Sequence, residues 1–293
     1  MNAVLSSYAR WHGARSVHLL FTGYKRIMRL GVVTTGQGPR HEYAAYHRGL
    51  AAALGMRIDV IDDHILDGLS WDEIKPHLGG DAEDRLGAHV HVPGATGNRL
   101  GDGWDHVYVS LPWALPYFQA AIDRLVTRGA DMVLFCCATR FPDDAFICPV
   151  PLIKPATLML AAVTERINTA GPATRSGAQP VRFGLMSSAG HGRQDVQLWR
   201  EQPFAAQLAI DYEPFEGDIL PAAEKLASRS HDIVVVWSYG LGMAASDGLA
   251  LSARLEQMVK CPVLMPHRVA ALHALALMAA GFDDRAFLAT GSR

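Results

Sequence analysis

Arg29 to Arg40 reads RLGVVTTGQGPR, and its two halves point to different local structures. Arg29 to Thr34 is a run of apolar and β-branched side chains, the pattern of a buried strand. The TGQGPR that follows combines glycines with a proline and reads as a turn. A helix is expected next. His41 to Leu54 supplies it, with Tyr43, Tyr46, Leu50 and Leu54 at helical spacing and Gly55 as a stop. Arg57 to Ile61 then reads as a second strand. Strand, glycine turn, helix and strand together make the unit from which parallel sheets with covering helices are built.

The same alternation continues outward. Ser70 to Leu78 is a short helix with a Ser70/Glu73 capping box, broken at Pro76. Gly79 to Gly103 is loop-rich. His106 to Ser110 is a strand, Pro112 to Arg128 a helix and Asp131 to Phe135 another strand. Beyond these, helices are expected at Pro155 to Asn168, Gln194 to Gln202, Pro221 to Ser228, Leu249 to Lys260 and His267 to Ala280. Strands are expected at Val181 to Met186, Gln207 to Tyr212, Ile233 to Trp237 and Pro262 to Met265, with a polar linker from Thr169 to Gln179. The fold class is therefore α/β, with two pseudo-symmetric lobes, each a parallel sheet flanked by helices, and a ligand cleft between them. The expected division is 28–151 for the first lobe and 152–265 for the second, with helix 266–280 packing back on the first. Residues 1–27 read as an extension or frayed tail.

Bulk properties agree with two lobes of roughly 120 to 150 residues each. The chain has 293 residues, 49% hydrophobic and 19% charged, enough to bury a core and too apolar for disorder. Its 27 basic and 29 acidic side chains are well mixed and leave a net charge of -2, which provides no field for nucleic acid or an acidic membrane. No apolar run approaches the roughly 18 residues that span a bilayer, and Val17 to Phe21 is too short for a signal peptide. The 4 cysteines, Cys136, Cys137, Cys148 and Cys261, form no C-x-x-C pair and no secreted disulfide framework, so a reducing cytoplasm is expected.

In open α/β sheets ligands bind beyond the carboxyl ends of strands. Three such places stand out: Thr34 to Arg40, Cys136 to Pro142, and Ser238-Tyr239-Gly240. The first resembles the T-I-G-Q-S-P-R stretch of the AroM family and keeps its G-Q-x-P-R core. Leu66-Asp67-Gly68-Leu69-Ser70, followed by Glu73-Ile74, resembles the L-D-G-L-S-x-x-E-I block of that family. Leu134 to Pro142 is similar to its L-L-C-T-G-x-F-P segment. The resemblance covers Arg29 to about Lys154, and the second half follows in element order.

That resemblance implies the two-lobed scaffold of the aspartate/glutamate racemases, with a small anionic ligand in the cleft. It also implies chemistry without metal or organic cofactor, in which one cysteine from each lobe moves the proton next to a carboxylate. Cys137 falls at the first-lobe cysteine. At the second-lobe position stands Ser238, whose hydroxyl is far too weak a base to replace a thiolate. Racemisation by two thiols is therefore disfavoured, while isomerisation or decarboxylation with protonation on one face remains open. A working thiol is expected to have a depressed pKa.

Thr35, Gly36, Gln37 and Gly38 offer consecutive backbone N–H groups before a helix and read as a carboxylate cradle, with Arg40 adding a charged fork. Thr139 and Ser238 would flank the same ligand. Cys136, Cys148 and Cys261 read as packing residues, and His267 as an ordinary helix-start residue. Asp62-Asp63-His64, or His89 with His91, supply too few ligands for a metal, so none is expected. Neither a G-x-G-x-x-G fingerprint nor a G-x-S-x-G elbow is present. Two readings stand: a cofactor-independent isomerase, racemase or decarboxylase acting on a small carboxylate through Cys137, and a catalytically silent carboxylate-binding or regulatory protein that kept the cleft. A homodimer is compatible with either.

Overall fold

A computed structural model describes residues 27–79, 84–98, 100–169, 180–243 and 248–280. The opening stretch forms β1 (Met28–Thr34), almost wholly buried, with the parallel strands β2 (Ile58–His64) and β5 (Met132–Phe135) on either side. A short strand, β6 (Leu152–Ile153), adds to β5 in parallel, giving the order β2-β1-β5-β6. In the second sheet, β7 (Val181–Ser188) is flanked by β8 (Leu208–Phe215) and β9 (Ile233–Trp237), and β9 carries β10 (Val263–Leu264). Each sheet thus runs second, first, third, fourth in chain order, so the two lobes repeat one topology. Strands buried on both faces need near-continuous apolar sequence, as IVVVW in β9 provides.

Helices cover both faces of each sheet. α1 (His41–Ala53) contributes Tyr43, Ala44, Leu50 and Ala51 to one face of the first sheet, and α3 (Leu111–Thr127) contributes Phe118, Ala121, Ile122 and Leu125 to the other. On the second sheet α4 (Pro155–Thr169) and α5 (Gly192–Arg200) bury Met159, Val163 and Trp199 against Phe183 and Val235. Its opposite face takes Ala223 and Leu226 from α6 (Leu220–Ala227) and Leu255 and Val259 from α7 (Gly248–Val259). The last helix, α8 (Pro266–Ala279), crosses back: Ala270, Ala271, Ala274, Leu275 and Met278 join the core of the first lobe. Pairing with β5 extends the first sheet through Ile153, and α4 then carries the chain into the core of the second lobe.

The loop-rich stretch before residue 104 holds more structure than its composition suggests. β3 (Arg85–His91) and β4 (Trp104–Ser110) form an antiparallel pair outside both parallel sheets. His106 to Ser110 was expected among the parallel strands, and this corrects its place. The physical reason lies in the burial pattern. Leu86, Ala88 and Val90 are buried while Arg85, Gly87 and His89 are not, the alternation of a strand with one wet face. The short helix α2 (Trp71–Ile74) forms as expected, with the Glu73 carboxylate accepting from both the N–H and the hydroxyl of Ser70 at 2.7 Å. Residues 1–26 and the linker at 170–179 lie outside the described residues.

Candidate active site

Beyond the carboxyl ends of β1, β5, β7, β8 and β9, between the lobes, lies a cavity of about 480 Å³. The first lobe supplies Thr35, Cys137, Thr139 and Arg140 to its wall, and the second supplies Ser188, Asp195, Ser238 and Gly240. The sequence-derived candidates Thr35, Cys137, Thr139 and Ser238 therefore meet on one cavity. They do so because each follows a strand whose carboxyl end opens onto the cleft.

Gly36, Gln37, Gly38 and Arg40 do not line it, and the expected cradle needs correction. The Gln37 N–H donates to the His89 carbonyl at 2.8 Å, and the Gly38 N–H to Asp67 Oδ1 at 2.8 Å. The Gln37 side chain clamps the same loop, donating to the Leu69 carbonyl and accepting from the His91 N–H, both at 2.7 Å. Gly36 has φ +107°, and a Cβ there would meet the His89 carbonyl oxygen at 2.1 Å, so only glycine lets the turn seat on β3. The Gln37 amide thus fastens the turn to β3 and the Gly38 amide fastens it to the segment after β2. Arg40 is buried. Its guanidinium donates to Glu42 at 2.7 Å and lies 4.7 Å over the Tyr43 ring.

Cys137 is 7% exposed at the end of β5. Burial pushes its thiol up to about 12, against hydrogen bonds from the backbone and hydroxyl of Thr139. The shift runs opposite to the depressed pKa expected of a working thiol: burial outweighs the Thr139 hydrogen bonds and favours the protonated form. Cys136 is also on the cavity wall, its thiol raised further by burial and hydrogen-bonded to Tyr239. Tyr239 in turn meets His47 Nε2 at 3.2 Å. Cys148 and Cys261 do not line the cavity, and burial raises both.

Two groups of cavity residues were not singled out from sequence. The first is Asp195 on α5, 6% exposed, whose Oδ2 has no hydrogen-bond partner among the described residues. Burial pushes its carboxyl up to about 7, with Ser187 acting the other way. The second is a wall of Arg85, His89, His106 and His191, of which only His89 had been named from sequence, and then only as half of a metal alternative. The alternation R85-x-G-x-H89 is a strand signal that was available in the sequence; the contribution of His191 from the other lobe was not. Of the residues weighed for a metal, Asp63 takes two hydrogen bonds from Arg124 at 2.6 and 3.0 Å, and the His91 ring lies against Trp104, tilted by 43° with centroids 3.9 Å apart. Among the described residues no three His, Cys, Asp or Glu side chains are grouped to hold a metal ion.

A family profile described as "AroM protein" matches residues 30–278. The chain belongs to the AroM family. No curated protein sequence matches this AroM chain. Among solved structures, allantoin racemase from Klebsiella pneumoniae is 14% identical over 87% of this chain and 89% of its own, with a TM-score of 0.48. An aspartate transcarbamoylase from Trypanosoma cruzi is 9% identical over 94% and 92%, TM-score 0.38. These overlaps are loose, and the fold assignment rests on the pairings and topology of the strands themselves. No described helix is long and apolar enough to cross a membrane.

Proposed function

We propose that this AroM protein is a cofactor-independent proton-transfer enzyme on a racemase-type scaffold, acting on a small carboxylate in the cleft with Cys137 as the proton donor. The observation that carries this is the meeting of Cys137 and Ser238, one from each lobe, at corresponding strand ends on one cavity. A thiol pushed up to about 12 is poorly suited to taking a proton at neutral pH, and suited to giving one to a strongly basic carbanion or enolate. Decarboxylation or isomerisation fits that role better than racemisation by two thiols. In the decarboxylation of a substituted malonate, the bond to the departing carboxyl breaks and CO2 leaves. The electron pair stays on the α-carbon, the Cys137 S–H proton moves onto it, and solvent reprotonates the thiolate.

A second reading has its own observation. Ser238 stands where a second thiol would be needed, which favours a binding or regulatory protein that retained the cleft. Proton NMR in D2O with a panel of amino acids, hydantoins and substituted malonates separates the two. Under the enzymatic reading, a panel member loses its α-proton signal or CO2, and Cys137→Ala loses that activity by at least a hundredfold while keeping its circular dichroism. A reaction that survives in the variant removes Cys137 from the chemistry. A wholly inert panel favours the binding protein.

A further inference from the structure

The antiparallel pair β3–β4 turns one face to the cavity, and that face is unusually rich in imidazole and guanidinium. In its register His89 sits opposite His106 and Gly87 opposite Tyr108. The His89 and His106 rings are 4.9 Å apart, and the His106 and Tyr108 rings 5.0 Å. The second lobe completes the group: His191 packs edge-on against Tyr108 at 4.6 Å. The Arg85 guanidinium lies 5.5 Å over the Tyr108 ring, and its charge helps burial hold the His191 pKa below the usual value.

Gly87 marks where these groups converge. A Cβ there would lie 2.8 Å from His106 Nε2 and 3.4 Å from His191 Nε2, so two imidazole nitrogens from different lobes meet over a residue with no side chain. Arg85 Nε is shielded from solvent and has no hydrogen-bond partner among the described residues. Imidazoles and a planar guanidinium gathered on one wall present N–H donors that match the oxygens of a carboxylate or phosphate. The acidic groups on the cavity, Asp195 and Glu201, belong to α5 and the residue after it, on the second lobe.

We infer that Arg85, His89, His106 and His191 form the anion subsite of the cleft, and that it takes a ligand carrying two negative charges, a dicarboxylate or a phosphate. One monocarboxylate has two acceptor oxygens and leaves part of this wall unmatched; a dianion occupies it from both lobes at once. The site replaces the Thr35–Gly38 turn as the place where the acidic part of the ligand is held. It deepens the enzymatic reading but does not require Cys137 to react.

The test is isothermal titration calorimetry of the full chain with malonate, inorganic phosphate and acetate at fixed ionic strength. Malonate or phosphate binds at least tenfold more tightly than acetate, and whichever binds better names the ligand class. Arg85→Gln and His106→Gln each weaken that dianion at least tenfold with unchanged melting temperature. Gly87→Ala weakens it also, by displacing the two rings, and Cys261→Ala, away from the cavity, leaves it within twofold. Equal affinity for acetate and the dianions, no binding at all, or wild-type affinity in the Arg85 and His106 variants overturns the subsite. Dianion binding by the wild type together with an inert NMR panel would instead remove the chemistry and leave the subsite standing.

Discussion

Asp195 is a carboxylic acid that the fold has buried without giving its Oδ2 a hydrogen-bond partner among the described residues. In the unfolded chain it ionises at its ordinary value; in the folded protein burial delays this to about 7. The folded state therefore binds the extra proton between those values. The stability this provides is complete below pH 4 and is lost as pH rises through 7. At pH 8 the charged form costs at most about 4 kcal/mol. Asp195→Asn is expected to melt like the wild type at pH 4 and higher than it at pH 8 in differential scanning calorimetry. Equal melting at pH 8 would mean that the carboxylate is solvated or paired. Cys137, Thr35, Thr139 and Ser238 were legible as cavity residues because a strand end fixes where the next residues point. Asp195 was not, because nothing in GRQDVQLWR states which polar face loses its water.

At the scale of elements, α5 is positioned by a single large side chain. Trp199 is fully buried against Phe183 and Trp237, with ring centroids at 4.7 and 5.4 Å, and it anchors the helix that carries Asp195. Trp199→Ala is expected to cost about 3–5 kcal/mol in urea unfolding. Trp199→Phe should cost less, since Nε1 makes no hydrogen bond among the described residues. A loss below 1 kcal/mol for the alanine variant would show that α5 is held elsewhere. The strands of both parallel sheets were readable, most of them from short runs of apolar and β-branched residues, except β6, whose two residues are too few to carry a pattern. The β3–β4 pair was obscured by the glycine- and histidine-rich sequence around it, although half its residues alternate in burial. Glycines at 36 and 87, read from sequence as turn or loop formers, serve close packing against β3 and between the lobes.

Over the whole molecule, the junction of α1, α8 and the turn after β9 holds two neutral imidazoles. His47 and His267 are 1% and 0% exposed, and burial lowers them to about 4 and about 3. The unfolded chain protonates both near their ordinary value, so stability is complete above about pH 6.5 and falls as pH drops from there toward 4. Each histidine contributes a slope of about 1.4 kcal/mol per pH unit within that window. His267→Leu is expected to make the urea midpoint less sensitive to pH between 7 and 5, and an unchanged pH dependence would place the acid sensitivity in other groups. The repeated topology of the lobes was legible in element order, and the return of the last helix to the first lobe was expected from the sequence; which of its side chains enter that core was not legible, because apolar residues lie on every side of PHRVAALHALALMA. α8 follows every strand of the second sheet and yet fills the core of the first. During synthesis, then, the core of the half made first is completed only when Met278 has left the ribosome, after every strand of the half begun second.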